Sequence, residues 1–329
     1  MLGYILRRIG AMVPTLVLIS IVSFIIIQLP PGDYLTIYMQ QLREQGDYVD
    51  ELVMDRLKRR YGLGQPIYVQ YVKWISGIVL RNDWGDSMYF EMPVKEVVGD
   101  RILLTVVLSF STMIFSWIIS IPVGIYSATH QYSVGDYVIT GFNFLGRGIP
   151  SFMLALVILW FAMSKLEMSV GGLFSPEYID VPWSWAKFAD MLKHIWQPML
   201  ILAVGSTAGG IRITRANLLD ELNKPYVTTA RAKGVKESKL LWKYPVRVAL
   251  NPFFSTIGWS LARLISGSTI VSIVLSLQTT GPLLFHSLIT QDMYLAGSFF
   301  LLLSTLTVIG TLLSDILLAW VDPRIRFGR

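Results

Sequence analysis

The chain has 329 residues, of which 53% are hydrophobic and 15% are charged, and its mean hydropathy is +0.54. This balance lies outside the usual range of soluble globular proteins and indicates that most of the chain is solvated by lipid. The absence of cysteine excludes disulfides, a thiol nucleophile and cysteine-ligated metal centres. The formal charge of +6 would also suit nucleic-acid binding, but basic residues accumulate equally on the cytoplasmic side of membrane proteins.

Six apolar regions are candidates for bilayer spans, each of which needs roughly 20 residues. The first, 9–29, follows Arg7 and Arg8 and ends at Pro30. A secretory signal is the alternative, but the apolar core is long and no small-residue cleavage motif follows it, so we expect a retained helix. The other five regions are approximately 102–126, 149–164, 195–211, 248–276 and 293–320.

Glycine and proline mark two of these spans. Before the third span, the sequence Gly-Arg-Gly-Ile-Pro at 146–150 predicts a break in a longer helix, because glycine and proline both weaken helix continuity. The fourth span carries Gly205, Gly209 and Gly210, and such small residues let membrane helices approach closely. We therefore expect tight helix packing there.

The distribution of lysine and arginine predicts the orientation of the chain. The loop 212–247 holds nine basic and three acidic residues, which is typical of a cytoplasmic loop. With six spans, the basic residues at 7–8 and at 324–329 fall on the same side, so both termini are predicted to be cytoplasmic. The predicted organisation is an N-terminal transmembrane helix (1–29), an external segment with short helices (30–101) and a five-span core with its cytoplasmic loop at 212–248 (102–329).

Aromatic residues are prominent in both predicted external segments. The stretch 67–79 has apolar residues at spacings of three and four, which predicts an amphipathic helix, and a second helix is expected over 48–60. Trp74 lies on the first of these, and Trp183 and Trp185 lie in the second external loop. Anchoring at the lipid headgroups is one role for them, and stacking against a substrate such as a sugar is the alternative.

Two short helices are predicted between the fourth and fifth spans. Pro225 stands where a helix can begin and Gly234 where it can end, and a second helix can follow over 236–244. We expect Ala230 and Ala232 to form a small face, which would let the element enter a groove on another protein while basic side chains donate hydrogen bonds. A basic loop that meets anionic lipid is the alternative.

The segment Tyr226-Val-Thr-Thr-Ala-Arg-Ala-Lys-Gly234 resembles the loop of ABC-importer permeases, which in the dipeptide/oligopeptide/nickel permease family typically reads close to YVRTARAKG. Further matches follow in the family's order: Arg7-Arg8 with Pro14, Pro30-Pro31-Gly32-Asp33, Tyr61-Gly-Leu-Gly-Gln-Pro66, Trp84-Gly-Asp-Ser87 with Pro93-Val94, Ile121-Pro-Val-Gly124 and Asp322-Pro-Arg-Ile-Arg326. Together they cover nearly the whole chain.

This resemblance implies an all-α polytopic protein of the bacterial cell membrane with the type I importer permease fold. It implies that the chain forms half of a translocation pathway with a second homologous permease subunit, two cytoplasmic ATPase subunits and an extracytoplasmic solute-binding protein. ATP and Mg would be used by the ATPase subunits, and no cofactor is expected in this chain. The segment of this chain that contacts the ATPase subunits would include Tyr226, Thr229, Ala230, Arg231, Ala232, Lys233, Gly234, Val235 and Lys236. Within it, we expect Ala230, Ala232 and Gly234 to tolerate bulk least.

The sequence also departs from the family pattern. The family commonly has a glutamate after the fifth span and then a Pro-Gly-Leu-Gly turn, where this chain has Ser272 and Thr279-Thr280-Gly281-Pro282. Thr228-Thr229-Ala230 likewise replaces an older loop pattern of glutamate before two alanines. Coupling to an ATPase survives these changes, and the expected solute is an oligopeptide, with an oligosaccharide as the alternative.

Two charges fall inside predicted spans, where a charge is costly unless it faces water or a partner. Arg263 either lines the translocation route or pairs with a carboxylate or backbone carbonyls. With a helical rise of ~1.5 Å per residue, Asp315 lies about 10 Å nearer the cytoplasm than Arg263. Arg212 or Arg215 matches the depth of Asp315 better than Arg263 does. We predict a structural ion pair there, with proton coupling as the alternative.

No enzyme is indicated by the sequence. It has no phosphate-binding loop, and His130, His194 and His286 are too dispersed to suggest a metal site. An ion-coupled carrier or channel is a rival function, but it should hold carboxylates near the mid-membrane, and only Asp315 approaches that description. A membrane receptor or anchor is a second rival, and it would not need the two-helix loop.

Overall fold

A computed structural model describes residues 2–28, 59, 62, 64–87, 89–165, 171–179, 181–290 and 292–321. These residues are predominantly helical, so the predicted all-α class is confirmed. A short antiparallel hairpin pairs β1 (Asp86–Ser87) with β2 (Met92–Pro93) and places Ser87 opposite Met92. The helix predicted over 48–60 lies, except for Arg59, outside the described residues.

The longer helices of the first two thirds of the chain are α1 (Leu2–Gln28), α2 (Ile67–Arg81), α3 (Val94–Thr129), α4 (Val134–Gly148), α5 (Ser151–Lys165) and α6 (Trp185–Leu222). A single 3-10 turn (Pro176–Tyr178) precedes α6. The later helices are α7 (Pro225–Ala232), α8 (Glu237–Lys243), α9 (Pro245–Ala249), α10 (Asn251–Ser255), α11 (Ile257–Gly267), α12 (Thr269–Val274), α13 (Thr280–Ile289) and α14 (Met293–Val321).

Three helices of the described part are long and apolar enough to cross a membrane. They contain the candidate spans Ile5–Ile26, Val94–Thr129 and Tyr294–Ala319. Helices α4 and α5 make a fourth candidate if they count as one span, although they are bent by 97°. The break predicted at 146–150 is thus confirmed, because α4 ends at Gly148 and Pro150 precedes α5.

The two remaining predicted spans have different forms. Helix α6 continues well beyond the predicted span 195–211 at both ends. The expectation of one continuous helix over 248–276 is wrong, because that region runs through the short helices α9 to α12. Pro252 has no N–H to donate, and the next residue, Phe253, donates its N–H to the Leu250 carbonyl only three residues back, at 3.0 Å, so the α-helical hydrogen-bond ladder is interrupted between α9 and α10.

The chain divides into two compact units. The core unit contains the described residues of 105–278 and 309–329, and the accessory unit contains those of 2–104 and 279–308. In the accessory unit, a hydrophobic cluster joins α1, α2 and α14 through Phe24, Trp74 and Leu301. Helix α2 is the predicted amphipathic helix, and Trp74 on its buried face is 7% exposed. The expectation that Trp74 anchors at headgroups or stacks on a sugar is therefore wrong.

The second external loop belongs to the core unit. The Lys187 ammonium is buried there, donates to the Val181 carbonyl at 2.6 Å and lies 4.9 Å from the centre of the Phe174 ring. Trp183 packs edge-on against Phe174, so its ring contributes to the packing of the loop. Trp185 is 87% exposed and stays available for a headgroup or a ligand.

Two helix crossings in the core unit depend on glycine. A Cβ atom on Gly210 would lie 2.6 Å from the Ser120 hydroxyl oxygen, and one on Gly258 would lie 2.5 Å from the Thr311 backbone nitrogen. Tight packing is thus confirmed for Gly210, where α6 meets α3. A Cβ on Gly209 would meet nothing within 4 Å, so the expectation fails at that residue.

Candidate functional site: the cytoplasmic loop and an arginine-lined cavity

The loop that connects α6 to α9 forms the two predicted short helices. We call residues 223–244 the coupling loop. Helix α7 begins at Pro225, whose missing N–H costs nothing at a helix start, and α8 runs from Glu237 to Lys243. Between them Gly234 has φ +74, a left-handed conformation that glycine adopts without steric cost. A Cβ at Gly234 would meet no atom within 4 Å, so backbone conformation rather than lack of space makes glycine suitable here.

The coupling loop has its own small apolar core. Val227 and Ala230 of α7 pack against Leu240 of α8, and all three are buried. Ala232 is exposed, because side chains two residues apart point to roughly opposite sides of a helix. The expectation that Ala230 and Ala232 share one face is therefore wrong: Ala230 holds the two helices together, and Ala232 lies on the surface.

The exposed surface of the coupling loop carries an ordered set of polar side chains. Arg231 donates to both Glu237 carboxylate oxygens, at 2.5 and 3.3 Å, which lowers the pKa of Glu237. The Tyr226 hydroxyl donates to Glu221, and burial together with this bond raises the pKa of Tyr226. Thr229 bonds back to the Pro225 carbonyl. The other predicted residues of this surface are exposed or half-buried, namely Lys233, Val235 and Lys236.

The base of the coupling loop is packed on the long helices. Ile125 and Ala128 of α3, Leu218 of α6, and Val246 and Ala249 of α9 form one buried cluster. A displacement of the loop would therefore be transmitted to α3 and α6, because close-packed interiors move as rigid bodies and compress little.

An ion pair between a buried carboxylate and a half-buried arginine reinforces this base. The Arg215 guanidinium of α6 makes two bonds of 2.9 Å to the Asp136 carboxylate of α4, which also accepts from the Ser127 hydroxyl of α3. The predicted pairing of Arg215 with Asp315 is thus wrong, because Arg215 points to the first turn of α4. Arg212 is exposed, and Asp315 is half-buried on α14.

Sequence reasoning missed Asp136, although a signal was present. Ser133 and Asp136 have the spacing of a helix-capping pair, and the Ser133 hydroxyl does accept from the Asp136 backbone N–H at 3.2 Å. That pattern marks the start of a helix. It does not reveal that the Asp136 side chain turns inward to meet an arginine 79 residues later.

The core unit also contains a cavity of about 480 Å³, which we call the central cavity. Its walls come from α3, the junction of α4 and α5, α6, and helices α10 and α11. Arg263 lies on this wall and is exposed to the cavity. Arg147, at the α4–α5 break, also lies on the wall and is exposed, although the sequence did not predict it as a site residue. Gly205 and Gly209 form part of the α6 wall.

Comparison with known proteins gives the family. Residues 120–327 match the model for the inner membrane component of binding-protein-dependent transport systems, and residues 1–109 match the N-terminal part of such components. The chain belongs to this family. It is therefore a transport permease of a bacterial inner membrane, and the predicted resemblance to the oligopeptide permeases is confirmed.

Curated relatives extend over the full length of this permease. It is 35% identical to the oligopeptide transport system permease AppB of Bacillus subtilis, over 99% of this chain and 100% of that one. It is 28% identical to the peptidoglycan transport system permease YejB of Agrobacterium fabrum, over 99% of both chains. It is 29% identical to the glutathione transport system permease GsiC of Salmonella typhi, over 99% of this chain and 100% of that one.

A solved structure supports the fold. The permease resembles a chain from the inward-facing MetNI methionine ABC transporter with a TM-score of 0.53, at 16% identity, over 69% of this chain and 96% of that one. The predicted ABC-importer permease fold is confirmed by this likeness. Family membership also disfavours the two rival functions, an independent ion-coupled carrier and a membrane receptor.

Proposed function

We propose that this permease forms half of the translocation pathway of an ATP-driven importer of oligopeptides, beside a second homologous permease subunit. An extracytoplasmic binding protein delivers the peptide, and two cytoplasmic ATPase subunits hydrolyse ATP with Mg. Full-length relatives named for oligopeptide and glutathione transport support a peptide-like solute. The burial of Trp74 weakens the oligosaccharide alternative, because it removes one of three tryptophans suited to sugar stacking.

The observation that carries this proposal is the coupling loop and its attachment. The loop presents an exposed surface around Ala232 while its base packs on α3 and α6. The pair Asp136–Arg215 connects α4 to the same base. Helices α3, α4 and α6 also line the central cavity. Movement of a docked ATPase would thus reach the cavity walls through packed side chains, which is the coupling an importer needs.

The experiment is reconstitution of the permease with its partner subunits in proteoliposomes. Oligopeptides should stimulate ATP hydrolysis, and oligosaccharides should not. Gly234→Val should abolish most of this stimulation, since a β-branched residue at φ +74 costs about 1–3 kcal/mol and would distort the turn between α7 and α8. Gly234→Asn is the matched control, because asparagine tolerates the left-handed conformation.

Two results would contradict the proposal. Stimulation by oligosaccharides alone would reject the peptide assignment and leave the coupling role intact. Wild-type stimulation in Gly234→Val, with the variant present in the assembled complex, would reject the assignment of the coupling loop.

A further inference from the structure

Two arginines from separate helices line the same cavity. Arg147 comes from the end of α4 and Arg263 from α11, and both are on the wall of the central cavity. Within the described part of the chain, neither guanidinium has a hydrogen bond or an ion pair to a protein group. The described residues that line this cavity include no aspartate or glutamate. The cavity therefore carries two positive charges without a counter-charge from its own wall.

Both guanidiniums are exposed on the cavity wall, so they can bind an anion that enters the cavity. A guanidinium is a planar cation with five N–H donors and no acceptor, so an anion is the partner that matches it. Charged side chains within membrane segments typically pair with a partner or mark a substrate pathway. The other polar groups on the wall are hydroxyls, including Ser116, Ser206 and Ser260. Hydroxyls are neutral and cannot offset the charge of an arginine, and the Ser116 and Ser206 hydroxyls already donate within the protein, to Ser206 and to the Ala203 carbonyl.

We propose that Arg147 and Arg263 form a subsite that binds the carboxylate of a peptide during its passage through the central cavity. This inference rests on the proposed function and specifies the chemistry that the permease itself selects. A guanidinium fork matches a carboxylate in a bidentate geometry. The cavity volume of about 480 Å³ is in the range of small-ligand sites, so a short peptide can enter it.

Hydrogen bonds within the protein hold the hydroxyls on one side of the cavity. The Ser116 hydroxyl donates to Ser206 at 2.9 Å and lies 2.9 Å from the Thr207 hydroxyl, which connects α3 to α6 on one side of the cavity. This connection fixes the hydroxyl groups before the solute arrives. A neutral oligosaccharide could bond to the hydroxyls, but it would leave both arginines without a counter-charge.

The test measures how the permease discriminates between two forms of one peptide. The complete transporter is reconstituted with its binding protein, and uptake is compared for a tripeptide with a free C-terminal carboxylate and for its C-terminal amide. The peptide is chosen so that the binding protein binds both forms. Selection by the binding protein then cancels when the carboxylate-to-amide uptake ratio is compared between variants.

The expected result is a ratio about tenfold lower in Arg147→Gln and in Arg263→Gln than in the wild type, with uptake of the amide unchanged. Arg147→Lys and Arg263→Lys should give intermediate ratios, because lysine keeps the charge and loses the fork. Lys165→Gln is the matched control. It removes an exposed cation at the end of α5, outside the cavity wall, and should leave the ratio unchanged.

Three results would overturn the proposal. An unchanged ratio in both glutamine variants would show that the arginines do not bind the carboxylate. Loss of complex assembly in the glutamine variants, with a wild-type ratio in the lysine variants, would show that the charges are structural. Absence of peptide uptake by the wild type would reject the proposed function and, with it, this subsite. The wild-type measurement alone distinguishes this result from the other two.

Discussion

Asp136 shows how one charge can be accommodated at the base of the coupling loop. It is 3% exposed, and its carboxylate accepts from the Ser127 hydroxyl, from the Tyr132 backbone N–H at 3.0 Å and from Arg215. Both carboxylate oxygens are thereby satisfied. The removal of a single partner from a buried ion pair typically costs about 3–5 kcal/mol, because the remaining charge stays buried and uncompensated.

We therefore expect Arg215→Gln to lower the melting temperature of the detergent-purified permease markedly. The double variant Asp136→Asn with Arg215→Gln should recover part of the loss, because it removes both charges. Arg212→Gln, three residues earlier on α6 and exposed, is the control and should change stability by no more than about 0.5 kcal/mol. Equal melting temperatures for Arg215→Gln and Arg212→Gln would contradict a stabilising role of the ion pair.

At the scale of elements, the coupling loop separates residues that pack its two helices from residues free to contact a partner. Ala230 is 8% exposed and touches the interior of the loop, whereas Ala232 is exposed. Ala230→Leu should lower the stability of the isolated permease by about 1–3 kcal/mol, because the added atoms overpack a filled space.

Ala232→Leu should behave in the opposite way. It should leave the melting temperature of the isolated permease unchanged and reduce peptide-stimulated ATP hydrolysis of the assembled transporter, since close approach to the ATPase would be blocked. Measurement of both quantities for both variants checks the assignment. If Ala232→Leu supports full stimulation, the docking surface lies elsewhere on the loop.

The boundaries of some helices could be predicted from the sequence, and those of others could not. Proline and glycine placed both helices of the coupling loop and the break before α5 correctly, because their backbone restrictions act locally. The division of 248–276 into short helices was missed, because apolar composition alone resembles that of a continuous span. The contacts of Arg215 and the shared cavity of Arg147 and Arg263 depend on helix packing between distant segments, which one sequence does not specify.

At the scale of the whole molecule, the bent pair α4–α5 decides the topology. If α1, α3, the bent pair and α6 each cross the membrane, four crossings separate Arg7 from Lys239, and both lie in the cytoplasm. Glu177, after three crossings, would then be external. If the bent pair instead enters and leaves on one side, Arg7 and Lys239 fall on opposite sides. The two arrangements therefore predict different accessibility for Arg7, Glu177 and Lys239.

The lack of cysteine makes this a direct measurement, since any introduced thiol is the only one in the chain. Arg7, Glu177 and Lys239 are all exposed, so single substitutions to cysteine should react freely with a maleimide. In intact spheroplasts, a membrane-impermeant maleimide should label Glu177→Cys and leave Arg7→Cys and Lys239→Cys unlabelled until the membrane is permeabilised. Labelling of Arg7→Cys together with Glu177→Cys, while Lys239→Cys stays protected, would show that α4–α5 is re-entrant and would place the N-terminus outside. That result would also move Arg147, at the bend, to the tip of a re-entrant loop.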